Sequence, residues 1–218
     1  LGRKSEFQFK FNIKFEKMFL RLLLTTKKKQ YAGIKVSEDG EYYPPDKWKL
    51  YTMGFGMIRS DNAKLAKNIQ KYAFLGILTK DMTDCIAEIN KVRDRLKKKE
   101  FTIMELGIPK GINRSIYDYE KDDPHVRGCK NAEKFLGLKY GVDDKPKRLY
   151  LTGHNKWGID VICFDNEGQL PDNIKEDIDT DLMFEKTVSA KIKNVIDLAG
   201  YRYSDILMNV KTTSFANF

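Results

Sequence analysis

An α+β fold is expected of this 218-residue chain, and three features of the sequence set the expectation. Apolar residues alternate with polar ones early on, at Phe7, Phe9, Phe11, Ile13 and Phe15, the period of a strand with one buried face. Beyond residue 60 the apolar spacing turns helical, at Leu65, Ile69, Ala73 and Leu75 and again at Met82, Cys85, Ile86, Ile89, Val92 and Leu96. Strands come first and helices after, so a small antiparallel sheet at the N-terminal end followed by a mainly helical region is predicted rather than a wound parallel sheet. No internal repeat is visible.

The first strand covers residues 7–15. A second runs over 31–36, and Asp39-Gly40 supplies the hairpin turn that follows it. Pro44-Pro45 marks a loop, and a third strand lies around 48–53. Ser60-Asp61 is a suitable N-cap pair for the first helix, which reaches Leu78. The second helix is capped by Thr79 or Asp81 and ends in Lys97-Lys98-Lys99, where positive charge complements the carboxyl end of the dipole. Basic residues are enriched at helix ends, which favours that role over a second polyanion contact. A third helix opens at Asp123-Pro124, with proline at the first helical position, and stops at Gly137. Residues 148–152 and 159–164 read as strands flanking a polar loop. The last helix is capped by Asp179-Thr180-Asp181, presents Leu182, Val188, Ile192, Val195 and Ile196, and stops at Gly200. The tail from Lys211 is short and polar and ends in Phe218.

Composition excludes several classes. Cys85, Cys129 and Cys163 are odd in number and far apart, without a C-x-x-C pair, which points to reduced thiols rather than a disulfide frame. His125 and His154 are the only histidines, so a zinc site is not expected. The longest apolar run, Met18 to Leu24 interrupted by Arg21, is too short to span a bilayer, and there is no secretory signal.

The positive charge is concentrated. Residues 1–36 hold ten Lys and Arg against Glu6 and Glu16, and so carry +8 of the formal net charge of +9. Charge confined to one short segment marks a polyanion footprint. Its centre is Lys27-Lys28-Lys29-Gln30-Tyr31-Ala32-Gly33, a lysine cluster with a tyrosine at the mouth of a strand. Lysines there can enter a groove while the phenol stacks or donates alongside. In the minor groove of DNA each base pair presents acceptors in nearly the same places, so such donors sense pairing geometry without reading sequence. On composition alone a solvated basic loop accounts for the same residues. G-x-x-x-x-G-K-[ST], G-x-S-x-G and H-E-x-x-H motifs are absent, and the paired acids Asp122-Asp123, Asp143-Asp144 and Asp177-Ile178-Asp179 sit where carboxylates cap free N–H groups. No catalytic residue is assigned.

Ordered short matches then carry a resemblance. Lys14-Phe15-Glu16-Lys17-Met18-Phe19, Leu22 to Thr26, Lys28-Lys29-Gln30-Tyr31-Ala32-Gly33, Met53-Gly54 and Ile58-Arg59-Ser60-Asp61 resemble the final part of the family B DNA polymerases, in which a strand leads to K-K-[RK]-Y-A at the palm edge and G-[ILF]-x-x-x-R-[RS]-[DS] opens the thumb. Downstream, Asp123-Pro124-His125-Val126-Arg127-Gly128 resembles the thumb's P-H-[IV]-[RA] segment. Residues 155–164 and Asp181-Leu182-Met183-Phe184-Glu185-Lys186-Thr187 are similar to segments of phage members.

The resemblance implies palm-edge strands over 1–58, a thumb over 59–207 and a flexible tail over 208–218, together gripping primer-template DNA. Lys27, Lys28, Lys29 and Tyr31 would lie along the minor groove near the primer end. Arg59, His125, Arg127 and Lys130 would meet phosphates, the last three helped by a helix N-terminus. Gln30 departs from the family's Arg or Lys, and Lys27 is expected to compensate. The palm motifs whose aspartates hold the catalytic Mg²⁺ ions, and the exonuclease carboxylates, are not in this sequence, so no cofactor is expected on this chain. It is expected to be a carboxyl-terminal subunit of a split polymerase or a fragment, inactive unless a palm and exonuclease chain completes it. Thr213 to Phe218 resembles the aromatic peptides that hook such polymerases to a sliding clamp, with Phe215 and Phe218 as the anchors, and a frayed terminus explains it equally. No membrane partner is implied, and a cytoplasmic location is, that of the host for a virus. A free-standing basic nucleic-acid-binding module with no enzymatic partner is the alternative, and a purely structural basic domain a third.

Overall fold

The computed structural model describes residues 16–55, 63–121 and 123–208. The strand expected at 7–15, the Ser60-Asp61 cap, Arg59 and the tail from Lys211 lie outside the described residues.

Four antiparallel strands form the first sheet: β1 (Lys17–Leu24), β2 (Tyr31–Glu38), β3 (Glu41–Tyr42) and β4 (Lys49–Met53). β2 pairs with β1 on one edge and with β3 and β4 on the other. Asp39 and Gly40 have φ of 51° and 90°, the left-handed pair that a tight hairpin turn demands. Periodicity did not mark β1, because its apolar residues run consecutively and show no period of two; only the family resemblance implied a strand leading to the lysine motif. Leu23 faces the core, 6% exposed, whereas Leu20, Leu22 and Leu24 are 54%, 45% and 67% exposed. The ladder shifts register between Met18 and Phe19 and again between Phe19 and Leu22.

The helical region follows. α1 (Lys64–Thr79) packs on the sheet and on α2 (Thr83–Lys97). Arg21 ties β1 to the end of α1 by donating from Nη1 to the Leu78 carbonyl at 2.6 Å, satisfying a helix-end acceptor with a cation on the negative end of the dipole. Asp81, of the two caps considered, accepts the Thr83 N–H at 3.0 Å, while the Thr79 hydroxyl bonds back into α1. The stripe Cys85, Ile89, Val92 and Leu96 is buried as its spacing requires. Beyond the helix, Lys99 pairs with Glu176.

A second antiparallel sheet, β5 (Ile108–Pro109), β6 (Lys147–Tyr150) and β7 (Val161–Phe164), carries α4 (Pro124–Leu136) on its face. The short α3 (Ile103–Leu106) before it closes with a capping box between Thr102 and Glu105. α4 has the expected ends, Asp123 as cap, Pro124 in the first turn and Gly137 at φ 70°. After α5 (Ile174–Asp177), the last long helix is interrupted: α6 (Thr180–Phe184) and α7 (Ala190–Leu198) are joined by a π-helical turn, Glu185–Ser189. There the buried Thr187 hydroxyl donates to the Met183 carbonyl at 2.6 Å. α8 (Tyr203–Leu207) follows Gly200. Ile69, Ile89, Leu106, Ile162, Phe164, Met183 and Ile196 are fully buried in one continuous core, each contributing about 1.5–3 kcal/mol of transfer free energy. The fold is thus α+β with a small N-terminal antiparallel sheet and mainly helical content after it, to which the structure adds the second sheet.

Candidate nucleic-acid interface

The lysine cluster is the tip of the β1–β2 hairpin. Lys27, Lys28 and Lys29 are all exposed, and their backbone is held from below. Gln30 N–H donates to the Lys27 carbonyl at 3.2 Å, Thr25 N–H donates to the Gln30 carbonyl at 3.3 Å, and the Thr25 hydroxyl accepts the Lys27 N–H at 3.2 Å. Lys29 takes the left-handed conformation at φ 58°. Gly54, at φ 72°, closes on this turn: a Cβ there would meet the Lys29 carbonyl oxygen at 2.4 Å. Gln30, which stands where a third cation was expected, donates from Nε2 to the Gly54 carbonyl at 3.2 Å. Its side chain anchors the turn.

Next to the tip, the solvent face of the sheet is aromatic and basic. Because opposite residues of an antiparallel pair share a face, Tyr31, Gly33 and Lys35 of β2 line up with Met53, Tyr51 and Lys49 of β4 and with Leu24, Leu22 and Phe19 of β1. Tyr31 stacks on Tyr51 with ring centroids 6.0 Å apart and an interplanar angle of 27°, and the Phe19 ring meets Tyr31 edge-on at 6.0 Å. Gly33 makes room for this packing, since a Cβ would reach the Phe19 ring at 2.7 Å. Lys17 Nζ lies 5.2 Å from the Tyr51 centroid and Lys35 Nζ 5.9 Å. Lys35 is partly neutralised by Glu38 at 2.8 Å, an ion pair that raises the lysine and lowers the carboxyl from their ordinary pKa values. Partial burial, then Tyr51, raise the Tyr31 hydroxyl, so it remains a donor at neutral pH.

The start of α4 differs from expectation. His125 is 2% exposed with its ring in the core, so it cannot be the phosphate contact expected of it. Burial, then the charges of Arg148 and Lys110, lower its pKa to about 4, so the ring is neutral. The free N–H groups of the helix start are taken too: the Asp123 carboxylate accepts from His125 N at 2.8 Å and Val126 N at 3.1 Å, and Lys110 pairs with it at 2.8 Å. A carboxylate in that position repels a phosphate. Arg127 donates from Nε to Asp160 at 2.9 Å, a pairing that lowers the Asp160 carboxyl, and a phosphate at Arg127 would compete with it. Lys130 is half-buried and has a partner of its own. Arg59, Phe215 and Phe218 lie outside the described residues.

Lys17, Lys35, Phe19 and Tyr51 were absent from the expected set. The signal for Lys35 and Tyr51 is the alternation of 31, 33, 35 in β2 against 49, 51, 53 in β4. Phe19 and Lys17 required the register of β1. Among the described residues no three carboxylates gather; the one group of three metal-capable side chains is His125, Cys129 and Cys163, buried and sulfur-rich. Hard Mg²⁺ takes oxygen ligands, so these residues do not fit a polymerase metal site and no chemical step is derived through one. No helix among the described residues is long and apolar enough to cross a membrane.

Residues 3–199 match the family described as DNA polymerase family B. The chain is 30% identical to DNA polymerase 2 of Aeropyrum pernix over 140 residues, covering 64% of this chain and 16% of that one. It is 26% identical over 195 residues to the DNA polymerase of Thermococcus aggregans, covering 89% and 10% of the two chains, and 26% identical over 185 residues to that of Archaeoglobus fulgidus, covering 80% and 22%. The chain therefore spans a minor part of each relative, at most 22% of its length, and within that part it belongs to the family B DNA polymerases.

Proposed function

We propose that this chain is the palm-edge and thumb portion of a family B DNA polymerase and that it grips primer-template duplex without sequence preference. The observation that carries this is the lysine turn: three exposed cations on a backbone clamped by Thr25, Gln30 and Gly54, beside the Tyr31–Tyr51 stack. A rigid turn presents its ammonium groups without the ordering cost that a free loop incurs. Lys27, Lys28 and Lys29 enter the minor groove, where acceptors recur at every base pair, and Tyr31 and Lys17 border the same track. The metal-binding carboxylates of the polymerase reaction come from outside the described residues, from another part of the polymerase or from a partner chain. Phe215 and Phe218 would act as clamp anchors.

The test is fluorescence anisotropy of a labelled primer-template and of single-stranded DNA over a salt series, with wild type beside Lys28→Ala/Lys29→Ala. Removing a lysine that neutralises one phosphate flattens the log–log salt slope by roughly 0.9, whereas removing a groove donor weakens duplex binding with less change of slope. Preference for the primer-template, abolished in the variant, supports the assignment. Equal weak binding of both substrates, indifferent to the substitution, overturns it.

A further inference from the structure

We propose that His125, Cys129 and Cys163 form a buried structural zinc site that pins α4 to β7. Their ligand atoms lie within 4.8 Å of one another, and all three residues are buried. His125 and Cys129 are one helical turn apart on the same face of α4, and Cys163 points at that face from β7. The helix comes in close: a Cβ on Gly128 would meet Cys163 Sγ at 2.9 Å. His125 Nδ1 lies 3.7 Å from Cys163 Sγ. With Zn–S about 2.3 Å and Zn–N about 2.0–2.1 Å, a tetrahedral site has ligand–ligand edges of about 3.5–3.8 Å, so that edge is already at coordination length.

The surroundings point the same way. Among the described residues, four buried side-chain atoms have no hydrogen-bond partner; one, His125 Nε2, belongs to the triad itself, and another, Arg148 Nε, is on the residue paired with Cys163 across the sheet. Arg148 is the cross-strand partner of Cys163, on the same face of the sheet. With Nδ1 facing Cys163 Sγ, Nε2 is the ring nitrogen turned away from the triad, and it has no hydrogen-bond partner. An unpaired guanidinium donor is costly in a core of neutral thiols, and a thiolate at Cys163 offers Arg148 an acceptor. Binding replaces two S–H bonds by two Zn–S bonds and releases two protons; a dication with two thiolates and a neutral imidazole has no net charge, which removes the usual objection to burying ions. The triad supplies three of the four ligands of a tetrahedral site. Soft sulfur with imidazole selects zinc over the hard cations of phosphoryl transfer.

The full chain, refolded with zinc and dialysed into metal-free buffer, is expected to retain one zinc per chain by mass spectrometry, to melt lower after chelation and to recover on adding zinc. Substituted with cobalt, it should show sulfur-to-cobalt charge transfer that persists in Cys85→Ala and disappears in Cys129→Ser/Cys163→Ser. Because the double variant risks misfolding, the wild type decides alone. Zinc well below one per chain with no charge-transfer absorption on cobalt refolding overturns the site. So does a thiol titration in denaturant that finds Cys129 and Cys163 consumed in a disulfide.

Discussion

The side-chain amide of Gln30 donates to the Gly54 carbonyl at 3.2 Å, joining the turn that presents the lysines to the end of β4. Where the family pattern has a cation, this chain has a strut. The position therefore shapes the turn, and the charge is left to Lys27, Lys28 and Lys29.

Gly54 is the partner that tolerates least. Alanine there must hold φ 72° and places its Cβ 2.4 Å from the Lys29 carbonyl, so the turn has to move. Gly54→Ala is expected to cost about 1–2 kcal/mol from the left-handed backbone alone and to reduce primer-template affinity although no cation is removed. Urea denaturation beside a binding titration checks both, and unchanged affinity in a folded variant would show that the turn need not be rigid.

Tyr51 supports Tyr31 from the neighbouring strand. Tyr51→Ala should lower stability by about 0.5–1.5 kcal/mol beyond the effect of reduced burial and weaken duplex binding while leaving the salt slope unaltered. Lys17→Ala, which removes a cation 5.2 Å from that ring, should flatten the slope instead. Salt-series anisotropy of the two variants separates stacking support from charge.

Asp123 makes the fold sensitive to acid. Burial by itself would raise its carboxyl, but Lys110 and the N–H groups of Val126 and His125 bring it down to about 2. A carboxyl depressed in the folded state contributes stability that is fully present above its unfolded value, about 3.9, and is lost as pH falls from there through about 2. The carboxylate is 37% exposed, so solvent screening makes the contribution smaller than that interval alone implies. Asp123→Ala is expected to cost about 0.5–2 kcal/mol at neutral pH, as for other helix caps, and to flatten the stability profile between pH values near these two limits, read by denaturation at stepped pH.

Gly128 sits where α4 packs tightly on β7. Alanine there adds up to about 1 kcal/mol of helix propensity but drives its Cβ to 2.9 Å from Cys163 Sγ and 3.3 Å from Val161 Cγ2. Overpacking of this kind costs about 1–3 kcal/mol, so Gly128→Ala should be net destabilising. A raised melting temperature would mean that the helix lifts off the strand freely.

Local rules in the sequence were enough for the strand expected over 31–36, which the structure extends to Glu38, the Asp39-Gly40 turn, the stripe of α2 and both ends of α4, because periodicity, capping and left-handed turns act within a few residues. Periodicity missed β1, because a strand with apolar residues on consecutive positions has no period to read and only the family resemblance implied it, and α3 escaped although Thr102 and Glu105 spell out its capping box. The lysines of the hairpin tip were legible because charge clustering is a property of the chain. That His125 turns inward to Cys163 and that Phe19 and Tyr51 flank Tyr31 depended on β1 register and on α4 settling against β7. Those are contacts between residues tens of positions apart, and packing, rather than local spacing, chooses among the faces a helix or strand can show.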